Sequence, residues 1–245
     1  MSGTAARVNV AATRVGTRAL GPGLRSVVWV QGCPFRCTGC MSPEWIPDRP
    51  ARRVAPGDLA AELLADDRVT GLTLSGGEPM AQAAALAETV DRARERRDVS
   101  VLCFTGYRLE RLRDAPPNPG VRRLLDRLDV LVDGLYVAGR NEGRGLRGSA
   151  NQRVHRLRGR PEEEPYDYEN GPRSAEIAVE GPTALLVGVP PEGLLTAFDT
   201  AVAVVRRRLR TADGPHDGHD GHDGNGHDAR HDGNGRRGTG EGRER

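Results

Sequence analysis

Lysine is absent from this chain of 245 residues, so all 36 of its basic residues are arginine. Without lysine there is no phosphate-binding P-loop lysine, no Schiff base and no lysine acting as a general base. The formal net charge is only +2, which does not indicate nucleic-acid binding. What remains is a chain with 37% hydrophobic residues, enough for one domain with a real core.

Long apolar runs are missing from the amino-terminal region. Residues 1–21 contain no continuous apolar stretch, and we therefore expect neither a signal peptide nor a membrane anchor. The chain has only four cysteines, three of them in one short segment. This usage favours a reduced, cytoplasmic protein in which clustered cysteines bind metal rather than form disulfides.

The composition changes sharply at residue 213. Residues 213–245 contain repeated His-Asp-Gly units and Ala229 as their only aliphatic residue. Such a segment cannot bury enough apolar surface to offset the entropy of ordering, so we expect a disordered tail after a folded domain of residues 1–212. The alternative is loose chelation of a divalent metal by the five histidines of the tail, His216, His219, His222, His227 and His231.

Within residues 1–212, short apolar runs alternate with helical patterns. The sequence predicts strands at 26–30, 71–74, 99–104 and 128–132, and helices at 58–65, 81–97 and 121–127. This order predicts an α/β fold with right-handed βαβ units and mostly parallel strands. Residues 175–179 and 184–187 are candidates for further strands, and 194–209 for a closing amphipathic helix. Residues 139–182 are too weakly periodic to place as a whole.

Each conspicuous motif follows a predicted strand. The cysteines follow the first strand, Gly76 and Gly77 the second, Thr105 the third and Asp133 the fourth. In parallel folds, the loops that bind ligands leave the carboxyl ends of the strands. The shared placement therefore predicts a single site at that edge of the sheet.

Three cysteines, Cys33, Cys37 and Cys40, have the spacing C-x3-C-x2-C. A [4Fe–4S] cluster normally takes four thiolates, so three ligands leave one iron open for chemistry. The fourth cysteine, Cys103, lies far downstream in an apolar run and is interpreted as a core residue. A zinc site and an inert thiol group are the alternatives, although zinc usually takes four protein ligands and the nearest histidine in the core, His155, is distant in sequence.

The run Ser75-Gly76-Gly77-Glu78-Pro79 follows the second predicted strand. Paired glycines let the backbone approach a ligand closely, and Glu78 would then face a ligand ammonium group. Taken alone, the same run is also typical of an ordinary turn from strand to helix, with Pro79 at the first helical position.

Together the two motifs resemble the radical S-adenosylmethionine (SAM) superfamily. Within it, the anaerobic ribonucleotide reductase activating proteins are the more similar group, over about residues 8–157. The resemblance implies a partial (β/α) barrel. It also rests on the runs Gly21-Pro22-Gly23-Leu24-Arg25, Trp29-Val30-Gln31-Gly32-Cys33, Pro43-Glu44-Trp45, Phe104-Thr105-Gly106-Tyr107, Asp129-Val130-Leu131-Val132-Asp133-Gly134 and Arg147-Gly148-Ser149-Ala150-Asn151-Gln152-Arg153.

The resemblance implies an activity. Cys33, Cys37 and Cys40 would hold one [4Fe–4S] cluster, whose open iron chelates the amino and carboxylate groups of SAM. One electron, delivered by a donor such as flavodoxin or ferredoxin, would split SAM into methionine and a 5′-deoxyadenosyl radical. In these activases, the radical removes hydrogen from a backbone glycine of a large partner enzyme. The alternatives are a single-cluster enzyme acting on a small molecule or peptide, and a non-catalytic metal-binding module.

The resemblance also implies contacts to SAM. Gly39 and Met41 flank the third ligand and would lie against SAM, while the Gly76-Gly77-Glu78 run would hold its amino group. Thr105 and Asp133 are candidates for ribose or carboxylate contacts, and Asp133 is equally well explained as a turn residue at the end of a strand. Two residues, Asn151 and Gln152, would close the site or lie in a surface loop, and His155 is interpreted as a surface or packing residue.

Two departures from the family pattern bear on which substrate the protein acts on, and not on the radical chemistry. Gly39 stands where many radical SAM proteins have an aromatic residue. The expected folded part also continues well beyond Leu157, where small activases end soon after the Asn-Gln-Arg run. With only Cys103 left after the three ligands, auxiliary iron–sulfur clusters are excluded.

Overall fold

The computed structural model describes residues 7–160, 165–180, 183–191 and 193–212. The chain divides into two compact units, residues 1–199 and residues 200–245, with the division inside the last helix. The expected tail at 213–245 lies outside the described residues. All of the strands that the structure describes belong to the first unit.

A seven-stranded mixed sheet forms the centre of the first unit. Its strand order is β3-β1-β2-β4-β5-β6-β7, and among the described strands β3 and β7 are the edge strands. The four central strands run parallel, whereas β1, β3 and β7 pair antiparallel with their neighbours. The strands are β1 (Val8–Thr17), β2 (Arg25–Val30), β3 (Arg52–Val54), β4 (Gly71–Gly76), β5 (Ser100–Thr105), β6 (Val130–Asp133) and β7 (Arg153–Arg156).

The predicted α/β class and the four parallel strands are confirmed. The connecting helices are α1 (Pro56–Leu63), α2 (Ala83–Arg94), α3 (Leu109–Asp114) and α4 (Gly120–Leu125). The predicted helix at 81–97 begins later than expected, because Pro79–Gln82 forms a 3₁₀ turn before it. No closed barrel is formed by the described strands, and the three antiparallel strands were not predicted.

The central strands bury both faces, as parallel strands covered on two sides do. On one face, apolar side chains of the sheet pack against α1, α2 and α4, for example through Leu63, Leu86 and Leu124. On the other face, Trp29 and Leu102 pack in a second core with residues of the loops and of the carboxyl-terminal region. The helices therefore cover one face only, and the opposite face adjoins the site.

Two further strands follow the sheet. β8 (Ala175–Glu180) and β9 (Thr183–Gly188) pair antiparallel as a separate two-stranded sheet, which confirms the strand predictions at 175–179 and 184–187. The helix predicted at 194–209 is observed as α5 (Leu194–Ala212). Among the described helices, none combines the length and the apolar character needed to cross a bilayer.

Candidate active site

A cavity of about 410 Å³ lies at the carboxyl ends of the central strands. All three clustered cysteines line it, together with the Gly-Gly-Glu turn after β4 and Thr105 at the end of β5. The predicted convergence of these motifs is therefore observed. The other lining residues are Leu20, Trp29, Phe35, Met41, Ser42, Glu44, Ser75, Phe104, Gly106, Gly134, Tyr136, Gly148, Gln152, Ala184, Leu185, Leu186, Gly188, Val189 and Pro190.

The cysteine loop is closed at its base by backbone hydrogen bonds. Gly32 N donates to Trp45 O at 2.9 Å, and Cys33 N donates to Ile46 O at 3.0 Å. Within the loop, Cys40 N donates to Cys37 O at 3.1 Å. These bonds bring the ends of the segment together and hold three partly exposed thiols toward one cavity.

Burial and mutual charge disfavour free thiolates in this loop. The pKa of Cys33 is raised to about 11, mainly by partial burial and also by the nearby charged forms of Glu78, Cys37 and Cys40, although a hydrogen bond from the backbone of Phe35 lowers it. Burial also raises the pKa of Cys37. A bound cation would offset these costs, since metal binding holds its ligands in the deprotonated form.

The donor set fits a cluster better than a single ion. No three His, Cys, Asp or Glu side chains in the described part of the chain converge closely enough to hold one metal ion. A cubane binds each thiolate to a different iron, so its ligands need not meet at a single point. Cys103 is fully buried in β5 and is absent from the cavity wall. Three thiols at one cavity therefore fit a [4Fe–4S] cluster with one open iron.

The two glycines after β4 are required by the neighbouring strand. Gly77 N donates to Val30 O at 2.7 Å, and Glu78 N donates to Gly32 O at 2.9 Å. A Cβ at Gly76, whose φ is +106°, would overlap the backbone of Val30, and one at Gly77 would overlap Gly32 O. These glycines therefore let the turn pack against the base of the cysteine loop, and their predicted close approach to a ligand stays a prediction.

Glu78 is buried at the wall of the cavity, with only 1% of its surface exposed. Its Oε1 accepts hydrogen bonds from Met80 N and Thr105 Oγ1, and its Oε2 accepts one from Gly106 N, each at 2.8 Å. Burial raises the pKa of Glu78 to about 7, although the three hydrogen bonds favour the ionised form. A carboxylate can accept about four hydrogen bonds, so Glu78 retains capacity for a cationic donor.

Thr105 supports this carboxylate. Its hydroxyl donates to Glu78 and accepts a hydrogen bond from Tyr107 N at 3.1 Å. Because both of these contacts lie within the protein, the geometry assigns Thr105 the orientation of Glu78. Its predicted contact with SAM stays a prediction.

The two residues that flank Cys40 have different surroundings. Met41 lines the cavity and is 41% exposed. Gly39 is not part of the cavity wall and adopts a φ of +72°, at which a side chain would be strained and would press on Ala138. The geometry therefore explains Gly39 by the turn of the loop, and only Met41 faces the cavity.

The structure does not bring the Asp133 carboxylate into the cavity. Asp133 is fully buried, and burial alone would raise its pKa, but hydrogen bonds from Arg153, Leu109 N, His155 and Arg108 hold the pKa at about 2. The shortest of these are from Arg153 Nη2 and Leu109 N, both at 2.7 Å. The geometry therefore favours the alternative reading of Asp133 as a structural residue at the end of a strand.

Three further residues, Gln152, Asn151 and Phe35, support the surroundings of the site. Gln152 donates to Gly134 O at 2.9 Å and accepts from Ser149 N at 3.1 Å, so it ties its loop to the end of β6. Asn151 Nδ2 donates to Leu135 O at 2.8 Å in the same way. The ring of Phe35 meets Tyr107 edge-on at 4.7 Å beside the cysteines. The family-like run at 147–153 had marked Asn151 and Gln152 as candidates, whereas no chemical signal in the sequence marked Phe35.

Comparisons with known proteins agree with this site. A family model described as a 4Fe-4S single cluster domain matches residues 19–155. The chain is 35% identical over 146 residues to the anaerobic ribonucleoside-triphosphate reductase-activating protein of Vibrio cholerae. The aligned segment covers 56% of this chain and 90% of that protein. The protein of the same name from Escherichia coli K12 is 33% identical over 146 residues, covering 56% of this chain and 92% of that protein.

A shorter similarity extends to a second kind of activating enzyme. The pyruvate formate-lyase-activating enzyme of Staphylococcus aureus USA300 is 40% identical over 68 residues, 25% of this chain and 27% of that enzyme. The model match covers more than half of the chain and contains the three cysteines and the Gly-Gly-Glu turn. The chain therefore belongs to the 4Fe-4S single cluster family of radical SAM activating enzymes, whose cofactors are a [4Fe–4S] cluster and SAM.

Proposed function

We propose that this chain generates a glycyl radical in an anaerobic ribonucleotide reductase or a related cytoplasmic partner enzyme. The observation that supports this most directly is the meeting of three thiols and one buried carboxylate at a single cavity. When bound, the reduced cluster supplies one electron to the sulfonium of SAM, which releases methionine and a 5′-deoxyadenosyl radical. A soluble electron donor such as flavodoxin or ferredoxin would reduce the cluster.

The protein's own residues would bind the cluster, orient SAM and shield the reactive centre from water. Cys33, Cys37 and Cys40 would hold the cluster and leave one iron for SAM. Glu78 would accept hydrogen bonds from the ammonium group of SAM, which would favour the ionised form of this buried carboxylate. Thr105 and two backbone N–H groups fix the orientation of Glu78 before SAM arrives, so little reorganisation is needed on binding.

Apolar side chains would keep water from the reactive centre. Trp29, Phe104 and Leu185 line the cavity near the polar groups. A dry wall limits the quenching of reactive intermediates by solvent. We also propose that the open sheet corresponds to the partial (β/α) barrel of radical SAM enzymes, that residues 1–212 act as one domain, and that residues 213–245 form a tail.

The test uses the full chain, reconstituted anaerobically with iron and sulfide. We expect the reduced protein to release 5′-deoxyadenosine from SAM, and to produce a glycyl radical in a candidate anaerobic ribonucleotide reductase, detected by electron paramagnetic resonance. Release of 5′-deoxyadenosine without a glycyl radical in any candidate would favour a small-molecule or peptide substrate. No SAM cleavage at all would overturn the proposal.

A further inference from the structure

One wall of the cavity is built by residues outside the part of the chain that matches the family model. The match ends at residue 155, whereas Ala184, Leu185 and Leu186 of β9 line the cavity with the cysteines, followed by residues 188–190. No residue of β8 lines the cavity. β9 therefore lies between β8 and the cavity.

The lining pattern shows which side of β9 faces the cavity. Successive side chains of a strand point to opposite faces, so a cavity against one face would be lined by every second residue. Here three successive residues, 184–186, line it. A strand contacts a cavity in this way when its edge faces the cavity. The edge in question is the one opposite β8.

This edge has no strand beside it in the described part of the chain. β8 and β9 form a sheet of two strands, and β8 is the only strand that pairs with β9 there. In an antiparallel pair, every second residue directs its N–H and C=O groups away from the partner strand. The free edge of β9 thus offers backbone donors and acceptors at the mouth and wall of the site.

The strand is held firmly in this position. Val187 is fully buried and Val189 almost so, in the same core as Trp29 and Leu102 of the sheet. Arg173, just before β8, donates to Asn141 Oδ1 at 2.7 Å and to Arg147 O at 2.8 Å. Glu176 of β8 accepts a hydrogen bond from Arg18 N at 2.9 Å. A strand fixed in this way can act as a template without prior ordering.

We propose that the free edge of β9 docks the glycine-bearing segment of the partner enzyme as an added strand. The inference rests on the proposed function, in which the substrate is main chain rather than a side chain. Extended main chain is the ligand that a strand edge recognises, through alternating N–H and C=O groups. Pairing along β9 would lead the partner's backbone past the three cysteines, with its glycine unobstructed by a side chain.

Paired proline substitutions in β8 and β9 test this docking. Ile177 lies opposite Leu186 and Ala178 opposite Leu185, and two directly opposite residues are either both bonded across the hairpin or both unbonded. Within each pair, the two prolines therefore have a similar effect on the hairpin, but only the proline in β9 faces the cavity. At whichever of the two pairs is unbonded across the hairpin, the β9 residue directs its N–H group toward the free edge. We expect a proline there to raise the KM for the partner about tenfold, as loss of one or two hydrogen bonds would. The β8 proline of the same pair should leave this KM unchanged.

The partner's side is tested with short synthetic peptides that span the glycine of the candidate reductase, N-methylated at one of two adjacent residues. Strand pairing uses alternate N–H groups, so one peptide should lose most of its glycyl-radical yield per 5′-deoxyadenosine released and the other should keep it. Equal losses from both peptides, or equal effects of the β8 and β9 prolines, would overturn the docking proposal while leaving the proposed function intact. A wild-type protein that cleaves SAM but forms no glycyl radical in the reductase would overturn the proposed function first.

Discussion

Two buried ionisable side chains, Glu78 at the carboxyl ends of the parallel strands and Arg25 at their amino ends, have different surroundings. At the carboxyl ends, Glu78 accepts hydrogen bonds from three donors and lies against an open cavity. At the amino ends, Arg25 is also 1% exposed, and it donates to Thr73 Oγ1, Ser100 Oγ and Leu72 O.

The two ends differ in how much free space surrounds the buried charged side chain. A Cβ at Gly71 would overlap the guanidinium of Arg25, and one at Gly21 would lie 2.9 Å from its Cδ, so glycines pack tightly around this arginine. At the other end, the glycines pack against the cysteine loop and leave the face of Glu78 toward the cavity open. The enclosed guanidinium of Arg25 satisfies buried acceptors of the fold, whereas a buried carboxylate beside a cavity is available to a ligand. The Gly21–Arg25 run is thus a structural motif, although it belongs to the family pattern.

The largest expected effect is the difference between replacing a cysteine at the carboxyl end of the strands and replacing the cysteine inside a strand. Replacing Cys33, Cys37 or Cys40 by alanine should abolish SAM cleavage, because each change removes one of only three proposed cluster ligands. Cys103→Ala should retain iron content and activity, since its thiol is buried in β5. Iron and sulfide analysis with a 5′-deoxyadenosine assay measures both. Loss of the cluster in Cys103→Ala with its retention in Cys40→Ala would refute the ligand assignment.

The next largest effect concerns the turn that joins β4 to the cysteine loop. Gly77→Ala should lower the iron bound after reconstitution several-fold, because the added methyl group would displace Gly32 at the base of the loop. Gly57→Ala is the matched control, since a Cβ there meets nothing within 4 Å. The control should bind iron normally and gain up to about 1 kcal/mol of stability. Normal iron content with weakened SAM binding in Gly77→Ala would instead favour the predicted close approach of this glycine to a ligand.

The sequence predicted the parallel part of the fold because its strands are short, apolar and separated by helical patterns. It did not predict β7, whose Arg-Val-His-Arg run is polar and sits at an open edge. Nor did it predict β1, where most positions are only partly buried and the pairing with β2 is irregular. Apolar periodicity reports burial, and these strands are positioned mainly by backbone pairing.

The site shows a similar division. The cysteines and Glu78 were predicted because their chemistry is visible in the residue types and their spacing. The reason for Gly77 could not be predicted, since it depends on how closely the turn approaches Gly32. The wall formed by β9 could not be predicted either, because Ala184 and Leu186 are ordinary strand residues in the sequence. Contacts between segments distant in sequence determine both features.

At the amino ends, Arg25→Met should lower the stability of the fold and leave SAM binding at the site unchanged. The change leaves the buried acceptors Thr73 Oγ1, Ser100 Oγ and Leu72 O without their donor, so we expect the free energy of unfolding to fall by about 3 kcal/mol. Urea unfolding measures this loss, and calorimetry of the folded, reconstituted protein measures SAM affinity, which should stay within twofold of wild type. A large loss of SAM affinity without a change in stability would show that the two ends are not separable.

The smallest effect, and the one that tests the carboxyl end directly, is the pH dependence of stability in the metal-free protein. Burial raises the pKa of Glu78 from 4.5 to about 7. Below pH 4.5, the carboxyl is neutral in both the folded and the unfolded chain. Between pH 4.5 and 7, the unfolded chain releases this proton while the folded chain keeps it, so the free energy of unfolding falls as the pH rises. Above pH 7, both states are ionised and the loss, about 3 kcal/mol, is complete.

The Gln variant removes this titration. We expect the stability difference between pH 5 and pH 8, measured by urea unfolding, to be about 2.5 kcal/mol smaller in Glu78→Gln than in wild type. Contributions from other titrating groups are common to both proteins and cancel in the comparison. Arg25→Met should keep the wild-type difference, because arginine stays charged across this range. Equal pH dependence in wild type and Glu78→Gln would mean that Glu78 is ionised throughout, and that the carboxyl end holds its charge as firmly as the amino end does.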